Sequence, residues 1–94
     1  MMSSMILGTR LTKGYQQLTS LSSATALTVP TDARIALIQA EDQSVRWRDD
    51  GTDPTTTVGM LMPSTVVLEY DGQLANLRFI EVSASAKLNV SYYG

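Results

Sequence analysis

Apolar and polar residues alternate along most of this chain with a period of two, the repeat of a strand half-buried in a sheet. The plainest run is Ala86, Leu88, Val90 and Tyr92, interleaved with Lys87, Asn89, Ser91 and Tyr93. Val45 and Trp47 likewise point one way and Arg46 and Arg48 the other, until Asp49-Asp50-Gly51 ends the run by turn chemistry. Residues 65–70 put Val66, Leu68 and Tyr70 on one face, and residues 77–82 turn Phe79 inward. Residues 33–40 are apolar on both faces apart from Arg34 and Gln39, which predicts a central strand. Residues 15–18, 24–29 and 59–62 are shorter candidates, the last ended by Pro63.

Turn residues separate these runs: Pro30-Thr31-Asp32, Asp71-Gly72 and Ser83-Ala84-Ser85. Strands this short, with turns every 8–12 residues or so, indicate an antiparallel sandwich or barrel of jelly-roll type. No segment carries a helical period. The pattern therefore predicts an all-β chain: a small antiparallel β-sandwich or jelly-roll-like domain over residues 14–94, preceded by an extended N-terminal arm over residues 1–13. Its expected core is Ile35, Leu37, Trp47, Leu68, Phe79, Leu88 and Val90. The arm holds Met1, Met2, Met5, Ile6 and Leu7, five apolar residues among its first seven, followed by Arg10. A frayed terminus is the plainer reading; but left in water they would form an apolar segment of a kind that soluble proteins avoid, so they are expected to lie against another subunit. Methionine suits that role because it adapts to an irregular groove.

Several stretches carry a resemblance when taken together. They are Ala33-Arg34-Ile35-Ala36-Leu37-Ile38-Gln39-Ala40, Val45-Arg46-Trp47-Arg48-Asp49-Asp50-Gly51-Thr52-Asp53-Pro54, Gly59-Met60-Leu61-Met62-Pro63, Arg78-Phe79-Ile80-Glu81 and Leu88-Asn89-Val90-Ser91-Tyr92-Tyr93. In this combination the chain resembles small virion structural proteins of tailed bacteriophages, over roughly residues 25–93. The resemblance is a pattern across several strands, not a catalytic signature. It implies a particle component, first of all a capsid decoration or cement protein that binds major capsid subunits and stabilises the head. A neck, tail or fibre component is the alternative. The implied partners are the chain itself, as a homo-oligomer with a trimer favoured, and the phage major capsid protein. The implied location is the virion, after synthesis in the cytoplasm of the bacterial host.

Composition narrows the chemistry. A chain of 94 residues makes one domain and buries only roughly 60–65% of its unfolded surface, so docking or oligomerisation would help it. Without cysteine there are no disulfides or thiolate metal sites, and without histidine the commonest general base and transition-metal ligand are both missing. The net charge of −2 lacks the basic excess of a nucleic-acid binder. No apolar run approaches the ~20 residues that span a bilayer, and the first residues do not read as a signal peptide. Ser and Thr number 21 and fall mostly between apolar residues, which suits exposed strand faces and turns.

The remaining candidate sites each have a plainer reading beside them. Asp49, Asp50 and Asp53, with the threonines of the same loop, can offer oxygen ligands to a hard cation, but the spacing departs from the calcium-loop pattern and a solvated turn explains them as well. Arg46 and Arg48 can meet a phosphate or a partner's carboxylate, or form ion pairs with Asp49, Asp50 or Glu41. Trp47 with Tyr70, Tyr92 and Tyr93 can form a sugar-stacking platform of a carbohydrate-binding module, although alternation places most of these aromatics in the core. Asn89-Val90-Ser91 fits the glycosylation sequon, which means nothing in a bacterial host. Lys13 and Lys87 sit in no motif, and no nucleophile–base pair or phosphate loop is visible. The expectation is a non-enzymatic protein without cofactor, whose partner-binding residues are Met1, Met2, Met5, Ile6, Leu7, Arg10, Arg46 and Arg48.

Overall fold

The computed structural model describes residues 8–94. Eight strands follow one another: β1 (Thr12–Leu18), β2 (Thr25–Ala26), β3 (Ile35–Glu41), β4 (Val45–Arg48), β5 (Met60–Met62), β6 (Val67–Tyr70), β7 (Arg78–Glu81) and β8 (Lys87–Tyr93). Among the described residues a 3-10 turn, Leu74–Asn76, precedes β7, and there is no α-helix. Every strand but β1 lies in a run of alternating or continuous apolar residues in the sequence, and the described residues are all-β as that pattern predicts.

The strands pair as one long antiparallel hairpin that has been rolled up. β1 pairs with β8, β2 with β7, β3 with β6 and β4 with β5, the contacts of a hairpin folded at the β4–β5 loop. Two further antiparallel pairings, β3 with β8 and β4 with β7, gather these into two four-stranded sheets. Their orders are β1-β8-β3-β6 and β2-β7-β4-β5. Both sheets feed one core. The first contributes Ala36, Ile38, Ala40, Leu88, Val90 and Tyr92. The second contributes Val45, Met62 and Phe79, and the connections add Leu21, Leu27, Leu74, Leu77 and Ala86.

β8 sets the inward face of its sheet. Leu88, Val90 and Tyr92 are fully buried, while the residues between them are half-buried on the outer face. Register carries this choice into β3, where Ala40, Ile38 and Ala36 stand opposite Leu88, Val90 and Tyr92. The two alanines stand opposite the larger Tyr92 and Leu88, which lets those side chains reach into the core. The expected inward set of β3 is corrected accordingly. Leu37 lies on the outer face, half-buried, whereas Ile35 is buried as expected. A strand apolar on both sides does not reveal its own inward parity; its neighbour does. Phe79, Leu88 and Val90 are buried as expected, but Trp47 and Leu68 are only half-buried against the core's margin.

β1 begins at Thr12, ahead of the expected Tyr15, and so takes in the end of the segment read as an arm. A register shift between Thr12 and Gly14 marks a bulge in its pairing with β8. Leu11 and Gly94 continue the ladder, each N–H donating to the other's carbonyl at 2.9 Å.

Candidate docking surface

The β4–β5 loop is built around Pro54 and Thr55. Pro54 is buried, and the Thr55 hydroxyl accepts the N–H of Thr57 at 3.3 Å and of Val58 at 3.0 Å. The Thr55 N–H donates to the Val58 carbonyl at 2.8 Å, closing a tight tip. A hydroxyl that bonds its own backbone in this way accounts for threonine at position 55. Gly59 then leads into β5 with φ +139°, in a space where a Cβ would stand 3.1–3.2 Å from Pro54, Arg46 and the Trp47 carbonyl. A side chain there would meet both backbone strain and a packed neighbour.

Both candidate arginines are held inside the chain. Arg46 donates from Nη1 to the Gly59 carbonyl at 3.0 Å and from Nε to the Thr56 carbonyl at 3.2 Å, which fastens the loop to β4. Arg48 makes a two-pronged pair with Asp50, Nε to Oδ1 at 3.0 Å and Nη2 to Oδ2 at 2.6 Å. The hydrogen bond from Arg48 holds the Asp50 carboxyl below its usual range, and Asp50 raises the guanidinium in turn. The pair is solvent-exposed, so it orients the loop more than it stabilises the fold. Arg10 is exposed on the stretch before β1. Met1, Met2, Met5, Ile6 and Leu7 lie outside the described residues.

The acidic loop does not converge. Asp49 accepts the Tyr70 hydroxyl at 2.6 Å and Asp50 takes Arg48, and no three His, Cys, Asp or Glu side chains among the described residues gather as a metal site. Of the four aromatics considered together, only Trp47 and Tyr70 meet, edge to face at 5.9 Å. Burial and the Asp49 carboxylate push the Tyr70 phenol up to about 12. Tyr92 is 1% exposed, and burial alone pushes its phenol up to about 12 while it donates to Gln16 Oε1 at 2.7 Å. Trp47, Arg48, Asp49, Asp50, Val58 and Met60 line an open, mainly apolar cleft of 360 Å³.

On the outer face of the first sheet the side chains form a polar network. Asn89 Oδ1 accepts from the Tyr15 hydroxyl at 2.7 Å and from Gln17 Nε2 at 2.9 Å, and Asn89 Nδ2 donates to Glu41 at 3.0 Å. Lys87 and Asp42 form an exposed ion pair at 3.1 Å at one end of the same face.

The exposed apolar residues are distributed unevenly. Val58, Met60, Leu61, Val66 and Val67, each 48–59% exposed, belong to β5, β6 and the residues flanking them. β5 is the edge strand of one sheet and β6 of the other, and only residues 63–66 join them. Tyr15 at 65% and Leu11 at 67% belong to β1 and its extension, the opposite edge of the first sheet. The large apolar side chains most exposed among the described residues thus all lie on strands at sheet edges or beside them. Two sequence stretches signalled part of this. Met60-Leu61-Met62 and Val66-Val67-Leu68 are unbroken apolar runs in short strands, and a period of two must turn some of each outward. No helix among the described residues is long and apolar enough to cross a membrane. Comparison with protein-family models, curated proteins and solved structures returns no match.

Proposed function

We propose that this chain is a non-enzymatic structural protein of a tailed bacteriophage particle, a capsid decoration or cement protein that binds major capsid subunits. In this reading the two sheets form a β-sandwich of jelly-roll type, since rolling one long hairpin into two sheets of order 1-8-3-6 and 2-7-4-5 generates that topology. The observation that carries the reading is the concentration of exposed apolar side chains on the sheet edges, β5–β6 above all. Exposed edges with apolar side chains are hazards for an isolated protein and useful to one that is covered on assembly. The sequence resemblance adds the kind of assembly. Each copy would contribute a modest contact without chemistry, and repetition over a lattice would make the sum strong. The chain would also self-associate into a closed oligomer, a trimer on the strength of the resemblance.

Measuring the copy number relative to the major capsid protein in purified particles tests this directly. A decoration protein is expected in fixed lattice proportion to the capsid subunit. A few copies per particle would move the chain to the neck, tail or fibre, and absence from particles would end the virion reading.

A second reading, a carbohydrate-binding module on the virion surface, draws on the cleft beside Trp47, where an indole adjoins the Arg48–Asp50 pair. Quenching or shifting of the Trp47 fluorescence by a panel of bacterial-surface glycans would favour it; an unchanged spectrum across the panel would remove it.

A further inference from the structure

We infer that copies of this chain associate head to tail, the β1 edge of one copy pairing with the β6 edge of the next so that the first sheet runs on across the contact. This inference rests on reading the edges as covered surfaces and names what covers them: a second copy of the same chain.

The argument begins with strand direction. β1 is antiparallel to β8, β8 to β3 and β3 to β6, so β6 runs opposite to β1. A second copy in the same orientation therefore presents its β1 antiparallel to the first copy's β6. An even number of alternating strands makes the sheet continuable in this sense.

Length and register agree with it. Past the bulge between Thr12 and Gly14 the register of β1 is regular from Gly14 to Leu18, long enough for Gly14 to Gln17 to face the four residues of β6. Rows of paired residues cross the sheet: Tyr15, Ser91, Leu37 and Glu69 form one, and Gln17, Asn89, Gln39 and Val67 the next. Continued into a neighbour, these rows set its Tyr15 beside Glu69 and diagonal to Val67, within reach of an aromatic ring.

Side-chain chemistry points the same way. The two edges carry the exposed apolar residues that need a cover, Tyr15 and Leu11 on one and Val66 and Val67 on the other. Charge is complementary as well. Arg10 and Lys13 lie at the start of β1, Glu69 and Asp71 at the end of β6, and antiparallel pairing brings those two ends together. An interface between two different patches is heterologous, and it closes into a ring where the rotation permits.

Light scattering on the purified full chain tests this. Wild type is expected as a closed oligomer. Tyr15→Glu sets a second carboxylate beside Glu69 of the next copy and spoils the β1 edge, Val67→Glu puts a charge on the apolar β6 edge, and each variant is expected to fall to the single-chain mass of 10.2 kDa. Mixed in equal amounts, the two variants should form a heterodimer, since one intact β1 edge then meets one intact β6 edge. A monomeric wild type, a Tyr15→Glu variant that keeps the wild-type mass, or a mixture that stays monomeric while both variants show native circular dichroism would each overturn the head-to-tail contact. Should a glutamate variant fail to fold, Tyr15→Ser and Val67→Thr give the same comparison as shifts in the concentration at which the oligomer dissociates. Failure here leaves the copy number on particles untouched, so the contact and the virion reading are judged separately.

Discussion

Thr65 holds a left-handed backbone with φ 73° in the four-residue link between the two apolar edge strands. A β-branched residue is a poor occupant of that conformation, whereas asparagine tolerates it. The link needs the bend, because the Thr65 N–H reaches the Ala40 carbonyl at 2.9 Å. Thr65→Asn should keep that bond and relieve the strain, raising stability by about 0.5–1 kcal/mol in urea denaturation. A fall in the midpoint would mean that the threonine side chain contributes more than its strain costs. Tyr92 offers a second residue-scale test. Its folded-state pKa of about 12 lies above the ordinary phenol value, so the folded state keeps a proton that the unfolded state gives up. The stability this represents is fully present below about pH 10 and is lost as pH rises toward 12. Tyr70 acts in the same direction. Tyr92→Phe should lower stability at neutral pH through the lost hydrogen bond to Gln16 and, with no phenol to ionise, make it decline less steeply between about pH 10 and 12, as measured by urea midpoints across that range. Parallel slopes for variant and wild type would rule out the Tyr92 phenol as a source of the alkaline decline.

At the scale of elements, alternation made strand existence legible and left lateral position hidden. The inward residues of β8 can be read directly from Leu88, Val90 and Tyr92, because polar residues separate them. β3 could not be read in that way, since both its faces are apolar, and pairing with β8 chose Ala36, Ile38 and Ala40. The exposed apolar edges were hidden for a related reason. A period of two tells which way a side chain points but not whether its strand lies in the middle of a sheet or at its margin. Trp47 shows the effect: its parity is inward, yet β4 holds it where it meets Tyr70 edge-on at the core's margin. Phe79, on the neighbouring strand β7, pairs directly with Trp47 and is 0% exposed. Phe79→Ala should accordingly cost about 3–5 kcal/mol, and Trp47→Ala roughly 2 kcal/mol, because part of the indole already meets solvent. Equal losses in thermal melts would show that the indole is packed as tightly as the phenyl ring. The arginines were legible as a pair but not in their engagements, since both bond within the same loop, Arg46 to backbone carbonyls that sequence spacing does not place.

For the whole molecule, the rolled-hairpin pairing joins residues from distant parts of the chain, Thr12 with Tyr93 and Ile35 with Tyr93 among them. Non-local pairing of this kind slows folding to roughly the millisecond-to-second range. A single refolding phase much faster than that would be inconsistent with the pairing. The same pairing also has a consequence in time. β8 lies between β1 and β3 in space, yet it leaves the ribosome after both of them and after everything between. While the nascent chain lengthens, β1 has no partner and β3 has only β6 on one flank. The second sheet can pair β2, β4, β5 and β7 before the first has its central strand. Synthesis thus leaves the first sheet open until the last seven-residue strand arrives, and β8 acts as a bolt that is thrown after the rest of the frame is standing.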